Sequence, residues 1–229
     1  MADRLVPACA SSLPAFIVPV GSTVPVGSTV PVGELPIPGL FLVNSCITSE
    51  FEQVLIAEID SKPWSDKLKR RTQQYGYEYN YSGRGQGSLT KIGPDKMGVG
   101  THFAIPEACQ NLANYLSTQY ASISPPFTQL IINEYTQKQG VAGHTDSPKF
   151  GPVVISVSLL ADAGMQFSNP RSNDITVPLE RRSMVVLSGL ARTEYKHCIP
   201  STVGYNINGY LFTKPRDYRR VSLTFRSVL

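Results

Sequence analysis

Residues 220–226 read RVSLTFR, and this alternating stretch decides how we interpret the fold. Successive side chains of a strand point to opposite faces, so the apolar residues pack on one face and the polar residues share the other. The polar face carries Arg220, Ser222, Thr224 and Arg226. Two guanidinium groups turned toward the interior need an anion, and a small dicarboxylate suits them because arginine binds carboxylates in a planar fork. The stretch therefore predicts an inward-facing strand at a carboxylate site; the alternative is an exposed edge strand with solvated arginines.

Other short apolar stretches, rich in β-branched residues and separated by Gly, Pro, Asn and Ser, predict further strands. They are Ile37–Val43, Leu130–Tyr135, Val153–Leu160 and Met184–Leu187. Two helices are predicted in the first half of the chain. One begins at a capping box of Ser49 and Glu52, and the other has Pro106 at its first position. Because the helices come first and many strands follow, we predict an α+β fold whose second half is a β-sandwich or jelly roll.

The composition is that of a globular protein. Of the 229 residues 41% are hydrophobic, which is enough for a core, and no apolar run is long enough to cross a membrane. The four cysteines lie far apart without a CxxC pair, so neither a disulfide framework nor a structural zinc site is expected. These features favour an intracellular protein, cytoplasmic or nuclear, with no membrane association and no obligate protein partner evident.

The N-terminal region contains a six-residue repeat. Residues 18–33 read VPVGSTVPVGSTVPVG, and regularly spaced prolines remove the hydrogen-bond donors that a strand needs. We therefore predict a disordered tail over residues 1–36 and a single domain over residues 37–229.

Two of the three histidines belong to a candidate metal site. His144 and Asp146 are two residues apart, so in an extended segment their side chains lie on the same side, and His197 follows between apparent strands. Two imidazoles and one carboxylate can hold one face of an iron(II) ion and leave three positions open for a chelating co-substrate and dioxygen. An H-x-D pair alone also occurs in turns that contain an ordinary core histidine. Asn133 and Tyr135, also two apart, could supply hydrogen bonds from a neighbouring strand.

Together these motifs resemble the AlkB family of iron(II)- and 2-oxoglutarate-dependent dioxygenases. The order is NEYTQKQGVAGHTD, VVISVSLL, RRSMVVLSG, a late histidine and a terminal arginine strand, and the resemblance covers residues 37–229. It implies a double-stranded β-helix (jelly-roll) core with flanking N-terminal helices, and an enzyme that uses Fe(II), 2-oxoglutarate and O2.

The resemblance also implies roles for individual residues. The iron ligands would be His144, Asp146 and His197. The co-substrate residues would be Asn133, Tyr135, Arg220, Ser222 and Arg226. Asn133, Tyr135 and Arg220 would hold the distal carboxylate of 2-oxoglutarate. Arg226 would lie near the metal-bound end of 2-oxoglutarate and steady Asp146. Ser222 stands where AlkB itself has an asparagine, and its hydroxyl can still form a hydrogen bond.

Residues 70–84, RRTQQYGYEYNYSGR, are the candidate substrate-binding segment. Residues 62–84 contain six basic and two acidic residues, an excess of four that equals the net charge of the whole chain. Aromatic rings stack on unpaired bases and arginines neutralise phosphates, so this segment predicts a nucleic-acid partner, with RNA favoured. The candidate residues are Arg70, Arg71, Tyr75, Tyr77, Tyr79 and Arg84. The alternative is a packed hairpin whose tyrosines, which alternate from Tyr75 to Tyr81, cover the core.

The substrate class follows from the resemblance. Members of the family that repair DNA directly carry an acidic residue two positions after the metal aspartate, where this chain has Pro148. Demethylation of an N-alkylated base in RNA, or in single-stranded DNA, is therefore expected before repair of duplex DNA. Hydroxylation of a modified wobble uridine in tRNA and oxidation of a protein side chain remain alternatives, as does an RNA-binding module without catalysis.

Overall fold

The computed structural model describes residues 35–80, 87–96 and 98–229. The predicted tail, residues 1–36, lies outside this part of the chain except for Leu35 and Pro36. Ile37, the first residue of the predicted domain, is 1% exposed and belongs to the hydrophobic core.

The elements of the described residues are mostly strands. The strands are β1 (Leu40–Val43), β2 (Arg71–Tyr75), β3 (Tyr77–Asn80), β4 (Ser88–Lys91), β5 (Thr101–His102), β6 (Gln129–Thr136), β7 (Val141–His144), β8 (Phe150–Leu159), β9 (Ala163–Asn169), β10 (Ser172–Leu179), β11 (Met184–Leu187), β12 (Lys196–Ile199), β13 (Gly204–Ile207), β14 (Tyr210–Thr213) and β15 (Arg219–Val228). The helices are α1 (Ser49–Asp60), α2 (Glu107–Gln119) and α3 (Gly189–Thr193), with a 3₁₀ turn at Pro94–Lys96. The predicted strands are present: β6, β8 and β15 are longer than predicted, whereas β1 begins at Leu40 and not at Ile37.

Two sheets and a pair of helices form three layers. The larger sheet has the order β1-β11-β8-β15-β6-β2-β5, and the smaller has the order β10-β9-β12-β7. One core cluster joins residues of both sheets, among them Leu42, Val154 and Phe167. The other joins the larger sheet to α1 and α2 through residues such as Leu55 and Leu112. This is the predicted α+β arrangement of a double-stranded β-helix with flanking helices.

The arginine strand lies in the middle of the larger sheet. β15 pairs with β6 on one side and with β8 on the other, which places Ser222 opposite Asn133 and Ser158. Val221, Leu223 and Phe225 are fully buried in the cluster on the helix side, as the alternation predicts. The edge-strand alternative is therefore wrong, because both edges of this strand are paired.

Helix α1 begins with a different cap from the predicted one. The Thr48 hydroxyl, not Ser49, accepts a hydrogen bond from Phe51 N at 3.2 Å. Glu52 does not complete a capping box; its carboxylate accepts a hydrogen bond from Leu160 N at 2.7 Å.

Pro106 stands at the N-cap of α2, one position earlier than predicted. In α2, Ala108 N donates to the carboxylate of Glu58 at 2.8 Å, so one helix satisfies an unpaired amide of the other.

The tyrosine segment is not one continuous strand. β2 ends at Tyr75, Gly76 takes a φ of +73°, and the chain continues into a separate hairpin of β3 and β4. A Cβ at position 76 would collide with the Thr128 carbonyl oxygen, so this break requires glycine. Tyr75 therefore does not share a strand face with Tyr77 and Tyr79.

No helix of the described residues is both long and apolar enough to cross a membrane. Cys46 and Cys109 are free and buried, and Cys198 is free and partly exposed.

Candidate active site

The three candidate metal ligands converge between the sheets. β7 and β12 are antiparallel neighbours whose register places His144 directly opposite His197, with ring centroids 4.4 Å apart. Asp146 follows β7, and its Oδ2 lies 3.7 Å from His197 Nε2. The pairing of two strands that are distant in sequence thus brings the motif together.

The donor atoms of these side chains suit a divalent iron ion. His144 Nδ1 lies 2.9 Å from the Ala142 carbonyl oxygen, which can only accept, so this contact selects the neutral tautomer with its proton on Nδ1 and a lone pair on Nε2. Asp146 Oδ2 is buried without a hydrogen-bond partner. Across residues 35–80, 87–96 and 98–229, no group of three or more His, Cys, Asp or Glu side chains is placed so that it could hold a metal ion as it stands. The assignment of the triad thus rests on convergence and donor chemistry.

Opposing charges and burial set the protonation of these groups. Burial alone would raise the pKa of Asp146, but the Arg226 guanidinium, whose Nη2 lies 2.6 Å from Oδ1, helps to hold it well below its usual range. Burial lowers the pKa of His197 to about 4, although the Asp146 carboxylate opposes this change. Near neutral pH the site therefore presents a carboxylate and a neutral imidazole, the forms that bind metal.

Arg192 supports the Asp146 loop, although it was not among the predicted site residues. Its Nη1 donates to Asp146 O at 2.9 Å, and its Nη2 donates to Ser147 O at 2.7 Å and to Phe150 O at 3.3 Å. The side chain is 5% exposed. An arginine five residues before His197 could have been noted in the sequence, but nothing in the spacing shows that its partners are carbonyl groups.

The predicted co-substrate residues line one cavity together with the metal triad. Arg220 is 1% exposed, and its Nη2 donates to Ser158 Oγ at 2.8 Å, yet its Nε and Nη1 are buried without a hydrogen-bond partner. A buried guanidinium with two unpaired donors needs an anion. Tyr135 packs against it with 5.4 Å between guanidinium and ring, and Asn133 and Ser222 also line this cavity. The arrangement fits the carboxylate of 2-oxoglutarate.

A second cavity, of about 330 Å³, opens beside the metal triad. Arg70 and Tyr79 line it, as do His144, Asp146 and Phe150. Its volume lies in the range of about 300–1,000 Å³ that is usual for small-molecule sites. Two of the predicted substrate residues, Arg70 and Tyr79, are therefore placed where a substrate would meet the metal.

The structure contradicts a substrate role for Tyr75, whereas a role for Arg71, whose side chain is 45% exposed, stays a prediction. Tyr75 is fully buried, stacks on His102 with centroids 5.0 Å apart, and donates from its hydroxyl to Gln73 Oε1. Arg71 forms two hydrogen bonds with Glu134, at 2.6 and 2.8 Å, and lies over the Trp64 ring. Tyr75 is thus packed in the core, as the alternative expected, but it lies in β2 of the larger sheet and not in a hairpin.

The remaining substrate predictions have different outcomes. Tyr77 is half-buried and its ring is not among the residues that line the described cavities; its carbonyl accepts a hydrogen bond from Gln129 Nε2 at 3.5 Å. Arg84, like Tyr81, lies outside the described residues.

Comparisons with known proteins agree with this geometry. A family model described as the 2OG-Fe(II) oxygenase superfamily matches residues 41–226. The "Alkylated DNA repair protein ALKBH8 homolog" of Arabidopsis thaliana is 32% identical over 85% of this chain and 60% of its own length. The "tRNA (carboxymethyluridine(34)-5-O)-methyltransferase ALKBH8" of Macaca fascicularis is 31% identical over 71% of this chain and 24% of its own length.

The fold itself is similar to that of a solved AlkB homologue. The structure titled "The structure of OsALKBH1" superposes with a TM-score of 0.61 and 16% sequence identity, over 83% of this chain and 98% of that one. The chain spans less than two thirds of the two curated relatives named above.

Proposed function

The chain belongs to the 2OG-Fe(II) oxygenase superfamily and is homologous to ALKBH8 proteins, and from this premise we propose that it oxidatively demethylates N-alkylated bases in nucleic acid, with RNA favoured over single-stranded DNA. Its cofactor is Fe(II), with 2-oxoglutarate and O2 as co-substrates. The observation that carries the proposal is the cavity of about 330 Å³, whose lining includes two of the proposed iron ligands, His144 and Asp146, together with the Tyr79 ring and Arg70.

Each part of the site has a task in this reaction. His144, Asp146 and His197 would hold Fe(II), which with 2-oxoglutarate and O2 supplies the oxidant that hydroxylates a C–H bond, leaving succinate and carbon dioxide. Arg220 would bind the distal carboxylate of the co-substrate through its unpaired donors. Arg226 holds Asp146 in its ionised form and in one orientation. A hydroxylated N-methyl group then leaves the base nitrogen as formaldehyde.

The substrate would enter on the hairpin side. The Tyr79 ring lies 5.7 Å from that of Phe150, in a tilted arrangement, and both rings line the cavity wall. An unpaired base can stack on such rings, whereas a base inside a duplex must first leave its stack. Single-stranded substrates therefore suit this cavity best.

Nucleoside mass spectrometry tests the proposal. RNA and single-stranded DNA oligomers, each with one methylated base, are incubated with the full chain, Fe(II), 2-oxoglutarate and ascorbate. We expect loss of one methylated base, which His144→Ala abolishes. If no oligomer changes while 2-oxoglutarate is consumed, demethylation is the wrong reaction.

A second candidate is hydroxylation of a modified wobble uridine in tRNA. It is favoured by the similarity to proteins named tRNA (carboxymethyluridine(34)-5-O)-methyltransferase, although the chain spans only 24% of the macaque protein. Whole tRNA incubated under the same conditions distinguishes the two reactions, because hydroxylation adds one oxygen atom to the uridine and demethylation removes a methyl group.

A further inference from the structure

Arg70 lies between the two cavities. It lines the cavity assigned to the substrate and also the cavity assigned to the co-substrate. Its Nε donates to Asn133 Oδ1 at 2.7 Å, and Asn133 is 7% exposed. Arg70 directly precedes β2, whose Thr72 pairs with Asn133 in β6, so the sheet register holds the two side chains together.

This contact defines which end of the Asn133 amide faces which partner. A side-chain amide has an oxygen that accepts and a nitrogen that donates, and the two ends are exchanged by a flip. A guanidinium only donates, so the end that meets Arg70 must be Oδ1. The donating Nδ2 is thereby left at the other end of the amide.

A carboxylate needs that donating end. The ionised carboxylate of 2-oxoglutarate only accepts hydrogen bonds, so Asn133 can bind it through Nδ2 and not through Oδ1. Without Arg70 the amide could turn its oxygen toward the carboxylate, where two acceptors would repel each other.

We propose that Arg70 is a positioning residue for the co-substrate: it fixes the Asn133 amide with its donor available to 2-oxoglutarate. Because Arg70 also lines the substrate cavity, the segment before β2 takes part in both binding events. The proposal rests on the assignment of Asn133 to the co-substrate site. Arg70 thus serves the co-substrate site as well as the substrate cavity.

The experiment measures the affinity for 2-oxoglutarate without turnover. The full chain is loaded with Zn(II), which is redox-inert, and titrated with 2-oxoglutarate by calorimetry under anaerobic conditions. We expect Arg70→Ala to weaken binding about tenfold, which corresponds to about 1.4 kcal/mol and is typical of losing a hydrogen bond to a charged group. Lys69→Ala, at the exposed neighbouring position, leaves this affinity unchanged.

A double-mutant cycle shows whether Arg70 acts through Asn133. If it does, Arg70→Ala combined with Asn133→Ala binds 2-oxoglutarate no more weakly than Asn133→Ala alone. Additive losses in the double variant, or an unchanged affinity in Arg70→Ala, would overturn the proposal. If Asn133→Ala itself has no effect, the co-substrate assignment fails instead.

Asn133→Asp separates orientation from folding. Its carboxylate keeps and strengthens the pairing with Arg70, so the melting temperature is retained, but it offers no N–H to the co-substrate. We expect 2-oxoglutarate binding to fall at least as far as in Asn133→Ala. Retained binding in Asn133→Asp would contradict the donor role.

Discussion

A single arginine on α3 determines how the Asp146 loop is held. Arg192 donates to the carbonyl oxygens of Asp146, Ser147 and Phe150, so its guanidinium replaces the strand pairing that this loop lacks. Burial lowers the pKa of Arg192, and the Asp146 carboxylate nearby opposes that shift. The same side chain thus fixes the backbone of a proposed iron ligand and adds to the positive charge around its carboxylate.

Arg192→Lys tests this role. An ammonium group cannot reach all three carbonyl oxygens as the planar guanidinium does, so we expect a loss of about 1–3 kcal/mol in the free energy of unfolding and a weaker affinity for Fe(II). Anaerobic calorimetry with Fe(II) measures the affinity, and Arg171→Lys, at an exposed position, is the matched control. An unchanged Fe(II) affinity would argue that the Asp146 loop needs no such support.

The buried His197 predicts a pH dependence of the metal-free chain. Its pKa falls from 6.5 to about 4 on folding, chiefly because of burial, so between these values the unfolded chain binds more protons than the folded one. The contribution of His197 to the free energy of unfolding is therefore complete above pH 6.5. It decreases as the pH falls toward 4, by on the order of 3 kcal/mol. Urea unfolding at several pH values measures this slope, and His197→Gln should flatten it. A wild-type slope that His197→Gln leaves unchanged would show that other groups produce it.

At the scale of elements, the β3–β4 hairpin is attached to the domain by side-chain hydrogen bonds to its backbone. Both ends of the Gln74 amide bind the backbone of Tyr79: Oε1 accepts from Tyr79 N at 2.7 Å, and Nε2 donates to Tyr79 O at 3.3 Å. On the other side Lys149 Nζ donates to Gly87 O at 3.2 Å. The position of the Tyr79 ring in the substrate cavity therefore depends on a glutamine in β2.

Gln74→Ala should impair the substrate side of the site alone. Because the variant removes both hydrogen bonds to the Tyr79 backbone, we expect the affinity for single-stranded RNA to fall about three- to tenfold, while the affinity for 2-oxoglutarate stays the same. Fluorescence anisotropy with a labelled oligomer measures the first quantity and calorimetry the second. Gln53→Ala, exposed on α1, is the control. Equal losses in both affinities would mean that the variant disturbs the whole sheet.

At the scale of the whole molecule, one buried carboxylate links the helix layer to the sheet. Glu52 in α1 is 1% exposed, accepts a hydrogen bond from Leu160 N at 2.7 Å, and pairs with Arg181 Nε at 2.8 Å and Arg182 Nη1 at 3.3 Å. These partners lie in the turns that follow β8 and precede β11. The helix is thus attached to the larger sheet by charge as well as by apolar packing.

Glu52→Gln should loosen this attachment without leaving a cavity. The amide keeps one acceptor for Leu160 N but loses the ionic interaction with both arginines, so we expect a loss of about 1–2 kcal/mol in the free energy of unfolding. Chemical denaturation measures it, with Glu180→Gln at an exposed position as the control. No change in stability would show that apolar packing alone holds the helix.

The sequence predicts the side-chain faces of the central strand β15 better than it predicts the residues of the candidate substrate-binding segment. The alternation in β15 is a period-two signal within one strand, so the faces of Arg220 and Phe225 follow from local geometry. The same period-two alternation wrongly placed Tyr75 with the substrate-binding tyrosines. Gly76 ends the strand, and the Tyr75 ring packs in the core. The pairing of Arg71 with Glu134 could not be predicted, because Glu134 lies 63 residues away on β6 and sheet register decides such a pairing.

The central position of β15 also bears on how the chain is made. Its partners β6 and β8 are translated long before it, so on the ribosome both offer open edges to other chains until residues 219–228 emerge. Folding of the larger sheet must then wait for the most distal of the described strands. Arg220 and Arg226, which the proposed co-substrate site requires, lie in this last strand. A nascent chain therefore cannot bind the co-substrate before its larger sheet is complete.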